Sequence, residues 1–477
     1  MGANLGDVSE KNTTDSSDGR LKLILLSALY FLIIAGYTIL RDLKNSIFMA
    51  TVGEDYIPLA KFGVVLFLIP CILFYSKLVD RVRRYHLLMI YSVFYALFSL
   101  FVALFIIGHP IVGIGNTDQS PYRLFGWFFY FCVEGVTPFV VSVFWSFVNS
   151  VTKPKEARDN YGFLVGGSKL GGMLSAGFAW ALLGSAGLPI IGGLSGIAKH
   201  QLILVFVSLF FTGIPIVVWL LMRNVAGYHL HGYEAVYQVE KKRSKEGKSK
   251  TGIFAGLKMF IKYPYVLGIF GMVFFYEILA TVLSYLRLLV AKAGSSSVTE
   301  TSAFLFKWVF IMQATGFFFS VVGTTAIMKK FGSRISLMLI PVFMATGSLV
   351  FLLTHSWLPT IAMIGYVFTK TTHYAFSYPV REQLYIPTLK EIKFKSKSWI
   401  DAFGQKFAKL SGGTVNMVAA RLGSAAASPF LSVFFIACLA LWSGVAFLLG
   451  IRYDRAIKRN EVIGLDDDTE GPKEKEA

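Results

Sequence analysis

The chain has 477 residues, of which 55% are hydrophobic, and its mean hydropathy is +0.60. Charged residues make up only 16%, against about 25% in a soluble globular protein. This composition excludes a soluble enzyme and indicates a protein embedded in a lipid bilayer. The formal net charge of +18 would favour nucleic-acid binding in a soluble protein. In a membrane protein the distribution of the positive charge along the chain matters more than its total. We therefore predict no nucleic-acid partner.

Apolar runs of about twenty residues recur along the chain, and a helix of that length spans the hydrocarbon core of a bilayer. The first run, 21–40, could be mistaken for a secretory signal. No small-residue cleavage site follows it, and the charged segment 41–44 comes next, so we interpret it as the first span. We predict twelve transmembrane helices, at about 22–40, 57–76, 87–107, 124–148, 161–183, 201–222, 263–291, 302–327, 335–354, 357–379, 401–424 and 428–451.

The predicted helices divide into two halves of six, separated by a segment rich in lysine and arginine. This arrangement is typical of the major facilitator architecture and predicts an all-α integral membrane protein that works as a transporter. Polar segments flank the halves, and we expect them to be disordered. The predicted organisation is a disordered cytoplasmic N-terminus 1–21, an N-terminal half 22–222, a basic cytoplasmic linker 223–262, a C-terminal half 263–451 and a cytoplasmic tail 452–477.

The distribution of lysine and arginine predicts the orientation of the chain. With a cytoplasmic N-terminus, the outer loops contain only Arg123, Lys199 and Lys292, whereas the reverse orientation would invert the positive-inside rule. We therefore expect both termini on the cytoplasmic side. All three cysteines lie within apolar runs, so we predict no disulfide.

Basic side chains inside a membrane span are costly, at about 2.5 kcal/mol or more each. Acidic residues at comparable depth are few, and Glu134 and Glu277 are the clear cases. The surplus of positive charge indicates a water-filled cavity for an anionic substrate. Lysine and arginine bind phosphate oxygens, and aromatic side chains can stack on purines, so a phosphorylated substrate is favoured over a sugar. The basic residues in or beside the predicted spans are Arg41, Lys44, Lys61, Lys169, Arg287, Lys307, Lys370, Lys406, Lys409 and Arg421.

Simpler explanations exist for several of these cations. Lys44 and Lys61 lie near the ends of their predicted helices and could extend to the lipid headgroups. Arg287 and Lys307 could do the same, or could pair with acidic neighbours. These alternatives stay open at the level of the sequence.

Lys406 and Lys409 lie three residues apart on one helix face and line either the cavity or the inner rim. Glu134 and Glu277 are too short to reach the headgroups from mid-helix, which favours a functional role. Glycines crowd the predicted helix 161–183, a pattern typical of a close or sliding helix interface.

Soluble nucleotide-binding motifs are absent from the sequence. The Gly-Lys-Ser triplet at 247–249 lacks the glycine that a P-loop requires five residues earlier. No grouping of histidine, cysteine and carboxylate residues predicts a metal site. We therefore expect no cofactor, no metal and no ATPase motor, and we expect a transporter and not an enzyme.

The most specific motif is YAFSYPVREQLYIP at 374–387, which the segments 395–401 and 411–413 extend. Together with 37–44, 57–61, 74–78 and 133–149, it resembles the nucleotide translocases of the TLC type. This is the ATP:ADP antiporter family of plastids and obligate intracellular bacteria. The resemblance covers about 22–450.

The resemblance implies that four charges, at Lys44, Glu134, Glu277 and Lys409, are important for transport. Lys406 is the alternative to Lys409, because Leu410 separates Lys409 from the Ser-Gly-Gly triplet that a lysine directly precedes in the family.

Arg381 stands where the family has a lysine. The predicted substrate-binding residues are Lys44, Lys61, Glu134, Glu277, Arg381, Lys406 and Lys409, with Arg41, Lys169, Arg287, Lys307 and Lys370 as secondary candidates.

The resemblance implies exchange of ATP for ADP by alternating access across a bacterial-type inner membrane. Proton-coupled nucleotide symport and transport of another phosphorylated organic anion are the alternatives. A scaffold or receptor without transport activity is a more remote one. The expected partners are the nucleotide and the lipid bilayer, and the expected state is a monomer.

Overall fold

In the computed structural model, residues 5–79, 82–152, 154–184, 192–225, 262–322, 324–385, 387–388, 400, 404–459, 461 and 463 are described. Most of the predicted linker 223–262, the segment 395–399 and the tail from residue 464 lie outside these residues. Regular structure in the described ranges is helical, apart from an isolated bridge between Thr388 and Ile463.

The α-helices of the described ranges are α1 (Leu5–Thr51), α2 (Ile57–Val79), α3 (Arg84–Phe101), α4 (Leu124–Glu134), α5 (Ser142–Val151), α6 (Pro154–Leu183), α7 (Gly196–Asn224), α8 (Pro264–Ala293), α9 (Val298–Val322), α10 (Thr324–Thr354), α11 (Pro359–Thr372), α12 (Tyr378–Gln383), α13 (Gln405–Arg421) and α14 (Gly423–Lys458). Three π-helical segments, Val102–Ile106, Thr137–Val141 and His373–Ser377, extend or connect them.

Each of the twelve predicted helices coincides with a helix of the structure. Nine helices within the described residues are long and apolar enough to cross a membrane, and α4 and α5 together form one of them. The remaining three predicted spans correspond to α6, to α11 with its π-helical continuation, and to α13. The last of these has only 17 residues.

Helix α1 is longer than the sequence predicts at both ends. It begins at Leu5, within the segment 1–21 that the composition predicts to be disordered, and adding residues to an existing helix is far easier than nucleating one. It also continues eleven residues past the predicted end at 40, because Leu43 and Ile47 extend its buried face. Lys44 therefore lies inside the helix and not at its outer end.

By their internal contacts the residues form two compact units. The first contains Met1–Ser249 and Ala291–Ala314, and the second contains Lys250–Val290 and Thr315–Ala477. Helices α8 and α9 each contribute to both units. The division into two halves of six helices stays a prediction.

In the first unit, α1 packs against α6 and α7 around an apolar core. Glycines on α6 allow the closest approach. A Cβ atom on Gly171 would meet the backbone of Phe31, with its Cα 3.1 Å away, and one on Gly167 would meet Ser27. The glycine-rich pattern thus produces tight packing between two helix backbones.

The turn between α4 and α5 is irregular for a reason visible in the sequence. Pro138 has no N–H to donate to the carbonyl of Glu134 four residues earlier, and the chain forms the π-helical segment Thr137–Val141 there. Such segments are frequent at functional sites. This one begins three residues after Glu134.

Candidate functional site

The first unit contains an ion pair between Lys44 on α1 and Glu134 at the end of α4. The Lys44 side chain is only 7% exposed, whereas that of Glu134 is 35% exposed. The ammonium of Lys44 also lies over the ring of Tyr130, 4.2 Å from its centroid. Lys44 is thus enclosed and held by both a carboxylate and an aromatic face.

The local sequence of α4 explains this arrangement. Tyr130 and Glu134 are four residues apart and share one helix face, so α4 presents the ring and the carboxylate together. Buried apolar residues on either side of Lys44, Leu43 and Ile47 among them, hold α1 in place.

The second unit contains a corresponding pair between Lys409 on α13 and Glu277 on α8. The Nζ atom of Lys409 lies 3.8 Å from a carboxylate oxygen of Glu277, and the side chains are 53% and 15% exposed. Gly412 brings the two helices together, because a Cβ atom there would lie 2.8 Å from both the carbonyl oxygen of Ile278 and Cβ of Thr281.

These pairs join the four charges that the resemblance singled out, and each pair lies inside one unit. In each pair the lysine and the glutamate come from different helices. The exposure of Glu134 and Lys409 leaves one member of each pair open to a ligand. Chemically, an anion could replace the carboxylate directly at the exposed Lys409, whereas at the enclosed Lys44 the Glu134 side chain has to move aside first.

The other candidates of the first unit have varied surroundings. Arg41 forms an ion pair of 3.0 Å with the buried Asp42. Lys169 is half-buried and lies within electrostatic reach of Arg41. Lys61 is half-buried, and Lys307 is exposed beside the Trp308 ring.

In the second unit, Lys370 lies over the rings of Tyr276 and Tyr366, at 5.7 and 5.8 Å from their centroids. Arg287 is buried and lies 5.2 Å from the centroid of Tyr366. Arg381, on α12, is buried too. These cations therefore belong to a region rich in tyrosine.

The exposed Lys406 lies three residues before Lys409 on α13. Among the described residues, Glu277 pairs with Lys409 and no ion pair to Lys406 is found. The structure thus brings Lys409, and not Lys406, to the glutamate. Arg421 is exposed in the last turn of α13.

Several uncharged residues in the second unit were not predicted from the sequence. The ring of His373 stacks on that of Tyr276, with centroids 3.3 Å apart and planes 5° from parallel. Asn416 on α13 is fully buried. His373 and Asn416 could have been found as uncharged polar side chains within a membrane span, because both lie inside predicted membrane helices.

Metal ligation and disulfide formation are not features of the described residues. Within the described ranges, no group of three or more histidine, cysteine, aspartate or glutamate residues could hold a metal ion. Cys71, Cys132 and Cys438, all in the described part of the chain, are free thiols.

Known proteins are similar to this sequence over most of its length. The family model described as TLC ATP/ADP transporter matches residues 19–114 and 122–453. The ADP,ATP carrier protein 1 of Chlamydia muridarum is 25% identical, over 88% of this chain and 86% of its own length. The ADP,ATP carrier protein 4 of Rickettsia bellii is 24% identical, over 92% and 91% respectively.

A bacterial homologue of the iron transporter ferroportin, in an inward-facing state, has a similar fold. The TM-score is 0.57 at 14% sequence identity, covering 91% of this chain and 98% of the other. This likeness concerns the fold alone. With the described helices, it confirms the prediction of an all-α, multi-pass integral membrane protein with a major-facilitator-like fold. The family model covers far more than half of the sequence, and the chain belongs to the TLC ATP/ADP transporter family.

Proposed function

We propose that this protein exchanges nucleotides, ATP for ADP, across a membrane by alternating access. The observation that carries the proposal is the presence of one lysine–glutamate pair in each compact unit, Lys44–Glu134 and Lys409–Glu277. Family membership and the names of the relatives support the choice of substrate.

The pairs give a physical basis for exchange. A nucleotide phosphate carries more negative charge than a carboxylate and offers more acceptor oxygens, so it competes with the glutamate for the lysine ammonium. When the nucleotide leaves, the glutamate returns and prevents an unpaired charge, which is unfavourable in a low-dielectric site. The empty carrier is then held in one state, and a counter-substrate is needed to release it.

The other candidate residues would add positive charge within each unit. Arg381 and Lys370 supply further positive charge in the second unit, and Lys61, Arg41 and Lys169 do so in the first. Arg287 and Lys307 are retained as secondary positions, and Lys406 stays the alternative to Lys409. We further propose that the protein is a monomer in a bacterial-type inner membrane, with both termini in the cytoplasm.

The test is uptake of labelled ATP into liposomes that contain the purified full-length chain. We expect uptake to require ADP inside the vesicles. Uptake into empty vesicles driven by a pH gradient would replace exchange with proton symport. Failure of unlabelled adenine nucleotides to compete with a transported organophosphate would indicate another phosphorylated anion. Absence of any uptake would leave a scaffold or receptor role.

A further inference from the structure

Asn416 lies on α13 with none of its surface exposed. Neither its amide nitrogen nor its amide oxygen has a hydrogen-bond partner among the residues that the structure describes. A buried donor and a buried acceptor left together without partners lower stability, and such groups are rare in folded proteins. The position therefore calls for an explanation other than packing.

Asn416 shares a helix face with the ion pair of the second unit. Lys409, Gly412 and Asn416 follow one another at spacings of three and four residues, so they lie on one side of α13. This is the side on which Gly412 approaches α8 at Ile278 and Thr281. Seven residues of helix place Asn416 about 10 Å along the axis from Lys409.

We propose that Asn416 is a specificity-determining residue that binds the edge of the purine base. The inference rests on the proposed function, in which Lys409 holds a nucleotide phosphate. A nucleoside extending from that phosphate has about the length that separates the two residues. The amide offers a donor beside an acceptor, which is the pattern that pairs with the amino group and the neighbouring ring nitrogen of adenine.

Two other polar atoms near the same ion pair support a ligand here. The Tyr276 hydroxyl, next in sequence to Glu277, and Nδ1 of His373 are also buried without a hydrogen-bond partner in the described part of the chain. The two rings stack on each other. Donors and acceptors without a partner among the described residues therefore occur on α8, on α13 and on the π-helical segment after α11.

Because Asn416 is fully buried, the base can reach its amide only after the surrounding helices move. Asn416 lies one turn from Gly412 on the same side of α13, so we expect its amide to become accessible when α8 and α13 separate at Gly412 during the transport cycle. Gly412 has no side chain, so separating α8 from α13 at this point breaks no side-chain contact of Gly412. The base then takes the place that the neighbouring helix leaves.

The experiment compares Asn416→Leu with the wild-type full chain in liposomes loaded with ADP. Leucine has a similar size and removes both unpaired groups, so we expect the variant to fold at least as well as the wild type. We expect the KM for ATP to rise about ten- to a hundredfold with little change in maximal rate. Thr414→Val, which removes an exposed hydroxyl bonded to the carbonyl of Leu410, is the matched control and should leave the KM unchanged.

Base recognition is measured separately with purine riboside triphosphate, which lacks the 6-amino group of ATP. The wild type should prefer ATP, and Asn416→Leu should transport both with similar KM. Asn416→Ala is analysed in the same way if the leucine variant does not insert. An unchanged preference for ATP, or a loss of maximal rate alone, would overturn the inference. Absence of nucleotide uptake by the wild type would instead overturn the proposed function.

Discussion

The two lysine–glutamate pairs differ in their access to water. Lys44 is enclosed, with 7% of its side chain exposed, whereas Lys409 has 53% exposed. Attraction between opposite charges is stronger where water is excluded, so removing one partner of the Lys44 pair is the more costly change. The Lys409 pair is the easier one for an incoming phosphate to open.

Replacing Lys44 by glutamine should affect both stability and transport. The change leaves Glu134 without its lysine, and we expect a loss of about 1–3 kcal/mol, since the carboxylate keeps some contact with water. Thermal unfolding of the purified protein in detergent measures this loss. ATP exchange should fall at least tenfold. A variant with wild-type melting temperature and wild-type exchange would contradict the role given to the pair.

Lys409 and Lys406 form a matched comparison on one helix. Lys409→Gln should reduce ATP exchange strongly, because its ammonium is the partner of Glu277. Lys406→Gln should stay within about twofold of the wild type. The melting temperature should change little for Lys406→Gln, which breaks no ion pair among the described residues. Lys409→Gln leaves the mostly buried Glu277 without its lysine and should cost about 1–3 kcal/mol. Equal losses of exchange would show that the two lysines act together.

At the scale of the helix, the close approach of α6 to α1 gives a direct test. Gly171→Ala should destabilise the protein by about 1–3 kcal/mol through overpacking, because the added Cβ would meet the backbone of Phe31. Gly166→Ala is the control on the same helix, where a Cβ would meet nothing within 4 Å. There alanine should be neutral or slightly stabilising. Detergent melting curves that coincide for the two variants would argue against a tight interface.

The helices could be predicted because an apolar run of about twenty residues can be recognised from the sequence alone. The end of α1 could not, since the charges at 41–44 resemble a loop, whereas the structure pairs Arg41 with a buried Asp42 inside the helix. Individual charges of the candidate site could be found in the sequence. The contact of Lys44 with Glu134 depends on tertiary packing across ninety positions. Asn416 was missed because it carries no charge.

At the scale of the whole molecule, fusion experiments can show on which side of the membrane each terminus lies. The positive-inside rule predicts that both are cytoplasmic. In a bacterial host, green fluorescent protein fused to either terminus should fluoresce, and alkaline phosphatase at the same points should be inactive. A phosphatase inserted after Arg123 should be active. Active phosphatase at the C-terminus would require an odd number of spans or the opposite orientation.

The π-helical turn at Thr137–Val141 has a consequence for comparing related sequences. A π turn holds about one residue more than an α turn, so every side chain after it is rotated by about 100° relative to an unbroken helix. Glu134 and Trp145, eleven residues apart, would share a face in a regular helix, and the extra residue of the π turn is expected to rotate Trp145 away from that face. A relative with one residue fewer between them could therefore keep every contact of α5, including the Trp145–Tyr30 hydrogen bond. Length differences between homologues should be tolerated at this turn and eliminated by selection elsewhere in α4 and α5.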